Sequence, residues 1–158
     1  MLLIGIGALE VFYLAGDGET TPSADRPIVT GALSHRAASE AAATATEEIL
    51  STSYKNYDEQ VDQATAKMTD SFADEYQQTS DEIKDQFVAS QTEVQVEAVA
   101  QGVVRASSDE VQVLLFLNQY VQKKDANGQP KTDYAQYRAL VTVVHTDQGW
   151  LVSDIKTQ

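Results

Sequence analysis

The feature that most constrains the fold of this chain is a set of three consecutive strand-forming segments near its end. The segments cover residues 111–124, 132–146 and 149–156, and they are rich in Val, Leu, Tyr and Thr. Glycine-containing turn sequences separate them, and such turns between two strand-forming runs indicate hairpins: Asp125-Ala126-Asn127-Gly128 and Asp147-Gln148-Gly149. The end of the chain is therefore predicted to form an antiparallel meander.

A further strand is indicated upstream, where the hydrophobic period changes to two from Thr92. Val94, Val96 and Ala98 alternate with polar residues, which is the pattern of a strand with one buried face. Gly102 interrupts this run, and a glycine inside a strand indicates a bulge or a bend. The four segments together predict a curved four-stranded antiparallel sheet.

The first half of the chain is predicted to be helical. An alanine-rich segment over residues 28–54 has few helix breakers, and small apolar residues form one stripe along it: Ala38, Ala42, Ala45 and Ile49. These small side chains permit close packing, either on the sheet or against a partner helix. A second helix is expected to begin at Asn56, which has the sequence pattern of a capping box with Glu59, and to end near Met68.

A third helix is expected to begin near Thr69 or Asp70 and to end near Ser90. Its large apolar residues recur at intervals of four, seven and four, which is one face of an amphipathic helix: Phe72, Tyr76, Ile83 and Phe87. The opposite face is acidic, and we interpret it as a solvated surface: Asp74, Glu75, Asp81, Glu82 and Asp85. The predicted fold class is therefore α+β, with N-terminal helices packed on the sheet.

Residues 1–16 are apolar apart from Glu10. As a helix they would span about 24 Å, which is short of the ~30 Å hydrocarbon layer of a bilayer. We interpret them as a truncated membrane anchor; the apolar region of a signal peptide and a buried helix of the domain are the alternatives. A carboxyl group in lipid is costly, so Glu10 is predicted to contact a protein within the membrane. The polar residues 17–27 are predicted to be a linker, which leaves residues 28–158 as one domain.

Composition excludes several functions. The formal net charge of -13 argues against binding to nucleic acid or to anionic lipid headgroups, and it favours cationic partners. The chain contains no cysteine, so a disulfide framework, a thiol nucleophile and a thiolate metal site are all excluded. Its 158 residues suffice for one core but not for two independent domains.

The candidate catalytic or metal-binding residues do not form a recognisable pattern. His145 lies in the second of the three segments without a second histidine at a ligand spacing, so a strand residue is the favoured interpretation. Asp125, Asn127 and Asp133 surround a glycine as in a calcium loop, but the terminal glutamate is missing and a hairpin turn is favoured. An enzyme site in the pocket of such a fold would pair a carboxylate with a hydrogen-bond donor. Asp154 is the candidate carboxylate, and the candidate donors are polar strand residues: Asn118, Tyr120, Tyr134 and Tyr137. We predict no catalytic residue, no metal site and no cofactor.

The run Leu114 to Leu117 would place apolar residues on both faces of its strand. A central strand of this kind is covered on both sides, by helices on one and by another element or a partner on the other. Trp150, which follows a glycine at the start of the last strand, is predicted to pack in the core. The predicted partner contacts are Glu10, Leu114, Phe116, Asn118 and Tyr120.

Four stretches resemble the Mce-associated membrane proteins of actinobacteria: ILSTSYKNYD at 49–58, MTDSFADEY at 68–76, VLLFLNQYV at 113–121 and RALVTVVHTDQGWLVSDI at 138–155. The resemblance implies a single-pass cell-membrane protein with an extracytoplasmic NTF2-like cone. It also implies a non-enzymatic accessory role in assembling or stabilising an Mce-type lipid or sterol import complex. The expected partners are Mce transporter proteins and lipid, but not nucleic acid. The alternatives are an apolar-ligand-binding domain and a component of a type IV secretion or conjugation machine.

Overall fold

The computed structural model describes residues 31–158 of the chain. Three helices and a two-residue strand precede four long strands: α1 Gly31–Leu50, β1 Thr52–Ser53, α2 Tyr57–Thr65, α3 Asp70–Ala89, β2 Glu93–Ala106, β3 Glu110–Lys124, β4 Pro130–Thr146 and β5 Gly149–Thr157. The predicted anchor at 1–16 and the predicted linker at 17–27 lie outside the described residues. Within 31–158, no helix combines the length and the apolar character needed to cross a bilayer.

The sheet contains five strands in the order β1-β2-β3-β4-β5, and each strand is antiparallel to its neighbours. The prediction of four strands was therefore one short. The additional strand is β1, where Thr52 pairs with Val94 and Ser53 pairs with Glu93. The first helix ends at Leu50 rather than near Tyr54, and the chain leaving it runs along the sheet edge. A two-residue strand is too short to show a period of two, so the sequence pattern did not indicate it.

The bulges in β2 flank the predicted position. Register shifts occur at Val99 and at Val104, whereas Gly102 pairs regularly with Leu114 of β3. Neither valine has a positive φ angle. A bulge whose extra residue lies near the right-handed helical region does not require glycine, so the glycine did not mark the site.

The predicted alanine stripe of α1 is buried and packs on the sheet rather than on a partner helix. Its residues share one apolar cluster with side chains from all four long strands. On β3 the side chains that face the helices are fully buried: Val111, Val113, Leu115 and Leu117. The small side chains of α1 let the helix approach these strands closely.

The second helix begins after Asn56 as predicted, but the Asn56 side chain makes no capping hydrogen bond. Glu59 instead accepts a hydrogen bond from Gln63 within the helix, at 3.3 Å. The capping-box prediction was therefore wrong, because the Asn56 backbone is not in the extended conformation that directs a cap side chain toward the helix. The helix also ends at Thr65, and Met68 beyond it is buried and forms a bridge to Val152 of β5.

The third helix matches its predicted bounds, and its five predicted acidic residues are exposed. Tyr76 packs against the core and donates a hydrogen bond to the carbonyl oxygen of Ile49, at 3.0 Å. Phe87 lies against the ring of Tyr57, with 5.1 Å between ring centroids, and the Tyr57 hydroxyl donates to the carbonyl oxygen of Ser80 at 2.8 Å. These contacts join α2 and α3 to each other and to the end of α1.

Candidate partner-binding surface

Strand β3 has one covered face and one open face. Its odd-numbered apolar residues point toward the helices, and Leu115 is 0% exposed. The next residue, Phe116, points the other way and is 42% exposed. We call the second surface the open face, and define it by two sets of residues that pair across β3 and β4: Leu114, Phe116, Asn118 and Tyr120 on β3, and Leu140, Arg138, Gln136 and Tyr134 opposite them. The helices thus cover one face of the sheet, as the sequence indicated, and the four predicted contact residues of β3 lie together on the other. Glu10 lies outside the described residues.

One end of the open face is aromatic. Tyr120 and Tyr134 pair directly across β3 and β4, and their ring centroids are 5.0 Å apart at an interplanar angle of 42°. Both side chains are exposed, although aromatic rings of this size gain from burial. Exposed tyrosines of this kind supply large contact area with little loss of conformational entropy when a partner binds.

A polar contact in the middle of the open face holds this pair in place. The Asn118 side-chain oxygen accepts hydrogen bonds from the Tyr134 hydroxyl and from the Gln136 side-chain amide, both at 3.0 Å. Because each donor lies on β4, the two bonds cross the strand boundary and fix the rotamers of three side chains. A surface arranged in this way loses less entropy on binding than one with free side chains.

A depression lies beside Phe116, near the middle of the open face, and both apolar and polar residues line it. This depression of about 480 Å³ is lined by residues of β2, β3 and β4 and by the last residue of the chain: Val99, Phe116, Leu117, Asn118, Gln136, Tyr137, Arg138 and Gln158. The bulge in β2 sets Val99 and Ala100 both opposite Phe116, which brings Val99 to this surface. The sequence analysis did not predict that Val99 lies on this surface. The alternation of faces along a strand changes at a bulge, so a strict period of two cannot assign residue 99 to a face. Tyr134 and Arg138 were not among the predicted partner contacts, although the hairpin turn between β3 and β4 places them opposite Tyr120 and Phe116.

The candidate catalytic groups lie apart from one another. Tyr137 lies on the helix-facing side of β4 and packs against the core, and burial raises its pKa to about 12. Asp154 on β5 forms an ion pair with Lys156 at 2.8 Å. Asn118 and Tyr120 lie on the open face of β3, and β4 separates that strand from β5. The acid and the donors of a pocket enzyme therefore do not converge.

His145 is exposed, and its ring lies against Trp150, with 4.8 Å between ring centroids. Trp150 packs against the core cluster, which confirms its predicted role. His145 thus lies beside a structural side chain at the end of the sheet. Among residues 31–158, no group of three or more His, Cys, Asp or Glu side chains is arranged to hold a metal ion.

The calcium-like sequence forms a hairpin turn, as favoured above. The Asp125 carboxylate accepts hydrogen bonds from the backbone amides of Asn127 and Gln129, at 2.8 and 2.9 Å. Gly128 has a φ of 75°, a conformation that side-chain-bearing residues rarely adopt. Asp133 points to Lys131 at 3.0 Å, and this hydrogen-bonded ammonium holds the pKa of the carboxyl below its usual range. The carboxylates are therefore occupied by the turn and by an ion pair.

No protein-family profile matches this chain, and no curated protein sequence matches it. Solved structures share its fold. The periplasmic domain of DotI gives a TM-score of 0.60 at 12% identity, and the match covers 89% of this chain and 99% of that one. An IcmL-like type IV secretion system protein from Legionella pneumophila gives 0.58 at 12% identity, with 76% and 88% covered. CagV, a VirB8 homologue of the type IV secretion system of Helicobacter pylori, gives 0.56 at 14% identity, with 80% and 97% covered.

At these identities the similarity shows the fold. The chain has an α+β fold of the NTF2-like class, with helices packed on an antiparallel sheet, as the resemblance to Mce-associated proteins implied. Two of the structures described above, the IcmL-like protein and CagV, belong to type IV secretion systems, and none of the three is described as an Mce-associated protein.

Proposed function

We propose that this protein is a non-enzymatic assembly component of a type IV secretion or conjugation machine. In this proposal the NTF2-like domain lies outside the cytoplasm, tethered by the apolar N-terminal segment, and its open face binds another protein of the machine. The observation that carries the proposal is the open face itself, with exposed Phe116, Tyr120 and Tyr134 on a sheet whose other face packs against the helices.

The chemistry of the open face supports a protein partner. Exposed aromatic rings, an arginine and amides held by hydrogen bonds are typical of protein interfaces. A small-molecule site would need an enclosed apolar cavity. The depression beside Phe116 is open to solvent and has polar residues among those that line it, and the side chains between α1 and the sheet form one buried apolar cluster. These features favour a binding surface over a lipid pocket.

The similar structures support a type IV secretion or conjugation machine as the assembly to which the protein belongs. DotI is represented by its periplasmic domain, and the IcmL-like protein and CagV belong to type IV secretion systems. Such a component positions other subunits and needs no catalytic group, in agreement with the separation of Asp154 from the tyrosines.

A second candidate rests on the four stretches that resemble Mce-associated proteins. They correspond to the segment joining α1 to α2, the start of α3, the centre of β3 and the hairpin of β4 and β5. The stretch in β3 contains Leu114, Phe116, Asn118 and Tyr120, so the same open face would bind an Mce transporter protein. In this candidate the protein belongs to an Mce-type import complex instead of a secretion or conjugation machine, and the transported molecule would be a lipid or sterol.

Site-specific photocrosslinking in native membranes tests both candidates. A photoreactive phenylalanine analogue replaces Phe116 in one variant and Val88 in a matched control, because Val88 is 39% exposed and lies on α3, one of the helices on the other side of the sheet. We expect the analogue at 116 to crosslink a secretion or conjugation subunit, identified by mass spectrometry, and the analogue at 88 not to do so. An Mce subunit captured only from position 116 would support the second candidate against the first. Equal capture from both positions would contradict an interface on the open face.

A further inference from the structure

The outer edge of β2 is protected along only half of its length. Strand β1 pairs with the first two residues of β2, Glu93 and Val94. The next outward-pointing amides are bonded by side chains from the end of α1: Ser51 accepts from the amide of Val96 at 2.9 Å, and Glu47 accepts from the amide of Ala98 at 2.7 Å. The backbone groups of the edge are thus satisfied up to the bulge at Val99.

Beyond that bulge the edge is open. Along β2 every second backbone amide points away from β3, as those of Val96 and Ala98 do. The extra residue at Val99 shifts this alternation by one. The next outward-pointing amides are therefore those of Gln101 and Val103. Within residues 31–158, neither has a hydrogen-bond partner on this side. Every residue from 99 to 106 is exposed. An unpaired row of backbone donors and acceptors is a template for another strand.

Gly102 lies in the middle of the open segment, and nothing within the described part of the chain accounts for it. A Cβ atom built at Gly102 would meet no atom within 4 Å, and its φ angle is not positive. Glycine weakens a strand interior, so a residue with a side chain would suit the isolated domain better. Because Gly102 has no side chain, another backbone can come close to this part of the edge, beside Leu114.

The opposite edge of the sheet is protected differently. The amide of Val152 on β5 donates to the carbonyl oxygen of Lys67, and its carbonyl oxygen accepts from the amide of Thr69, both at 2.9 Å. The segment between α2 and α3 therefore covers the middle of that edge. By contrast, no proline or lysine lies between residues 95 and 106 of β2, and these are the residues that commonly block edge pairing.

We propose that the segment Ala100–Val104 of β2 is a docking edge that takes an extended strand from a partner protein. The strand would hydrogen-bond to Gln101 and Val103, and its apolar side chains would contact Val99, Val104 and the open face beside Gly102. Val104 is 60% exposed, so it offers apolar area for this contact. This inference deepens the proposed function, since the strand would belong to an assembly partner.

Charge decides which strand fits. Acidic groups surround the docking edge, with Glu47 and Glu97 before it, Asp109 in the turn after it and Glu110 at the start of β3, and Arg105 is the one basic residue of β2. The partner strand is therefore apolar and β-branched at its centre and carries basic residues at its ends. A second copy fits poorly because pairing two β2 edges would bring together two chains of net charge -13.

The test uses the full 158-residue chain in mild detergent. It is screened against synthetic peptides of about nine residues, a length that spans the open segment, with alternating Val and Thr flanked by Lys. Hydrogen exchange by NMR reports the binding site. Binding at the docking edge should slow exchange of the Gln101 and Val103 amides about tenfold or more, while Val96 and Ala98, already hydrogen-bonded, change little. If the peptides leave Gln101 and Val103 unprotected, or if none binds, the docking edge is refuted.

Two variants separate docking from folding. Gly102→Val should raise the thermal midpoint of unfolding and weaken peptide binding about tenfold or more, because the new side chain obstructs the approach. Val103→Pro removes one outward amide, which an edge strand tolerates, and should weaken binding by a similar factor. Val103→Thr keeps the amide and serves as the control with binding retained. Unchanged affinity in a folded Gly102→Val protein would overturn the inference even if Val103→Pro fails to fold.

The same measurements distinguish a partner strand from a second copy of this chain at the docking edge. Protection of Gln101 and Val103 that rises with protein concentration in the absence of peptide would show that a second copy occupies the edge, and the partner-strand proposal would then be wrong. The peptide experiment contains no other subunit, so its failure leaves the proposed assembly role standing. Loss of the crosslink from Phe116 would likewise leave a positive peptide result intact.

Discussion

The Glu47 carboxylate accepts a hydrogen bond from the backbone amide of Ala98 at 2.7 Å, so a side chain of α1 takes the place of a neighbouring strand on the edge of β2. We expect Glu47→Ala to lower the free energy of unfolding by roughly 1–2 kcal/mol, since a bond to a charged acceptor is lost and the amide is left without a partner. Glu47→Gln keeps an acceptor and should recover most of this loss. Urea unfolding of both variants measures the difference, and an unchanged Glu47→Ala protein would show that solvent replaces the bond.

Thr46 is buried in α1, and its hydroxyl has no hydrogen-bond partner within the described chain. Replacing the hydroxyl by a methyl group removes the cost of burying an unpaired polar atom, so Thr46→Val should raise the free energy of unfolding by about 1 kcal/mol. Thr44→Val is the matched control, because Thr44 is exposed on the same helix and the helix propensities change equally. Equal effects of the two substitutions in thermal unfolding would contradict the prediction.

Leu115 and Phe116 are neighbours on β3 that point to opposite faces of the sheet. Leu115→Ala should cost about 2–5 kcal/mol, because it leaves a cavity in the core. Phe116→Ala should cost less than about 1 kcal/mol, because its side chain is 42% exposed and leaves no enclosed cavity. Chemical denaturation compares the two variants. A large loss for Phe116→Ala would mean that Phe116 acts mainly in folding, and would remove it from the proposed interface.

Burial raises the pKa of Tyr137 to about 12. The folded state holds this proton more tightly than the unfolded state, whose tyrosine pKa is about 10. The resulting stabilisation is complete below pH 10 or so and is lost as the pH rises through the folded value. The domain is therefore expected to lose stability between about pH 10 and 12, and Tyr137→Phe should reduce this loss.

Thermal unfolding across this pH range measures the effect. Burial also raises the pKa of Tyr57 and of Tyr76, so some alkaline loss should persist in the Tyr137→Phe variant. Tyr134→Phe provides the control, because it also removes one phenol hydroxyl, but from an exposed side chain on the open face. If Tyr137→Phe behaves like Tyr134→Phe, the Tyr137 phenol does not titrate as its burial implies.

Local sequence patterns determined the order and type of the main elements. The apolar stripe of α1, the amphipathic face of α3 and the hairpin turns at Gly128 and Gly149 each depend on residues close together in the chain. Periodicity and turn chemistry act over such short distances, so these predictions were confirmed. The period of two in β3 likewise placed Phe116 and Tyr120 on the face opposite Leu115.

The tertiary structure alone decided which faces and edges are covered. Strand β1 and the bond between Glu47 and Ala98 join residues forty or more positions apart, and no local pattern encodes such contacts. The bulges at Val99 and Val104 move residues between faces without a glycine to mark them. The sequence by itself determined a helical layer, a meander and one strand apolar on both sides. Only packing decided that, within residues 31–158, the second side stays open and half of the β2 edge lacks a partner, because burial depends on what the rest of the chain leaves uncovered.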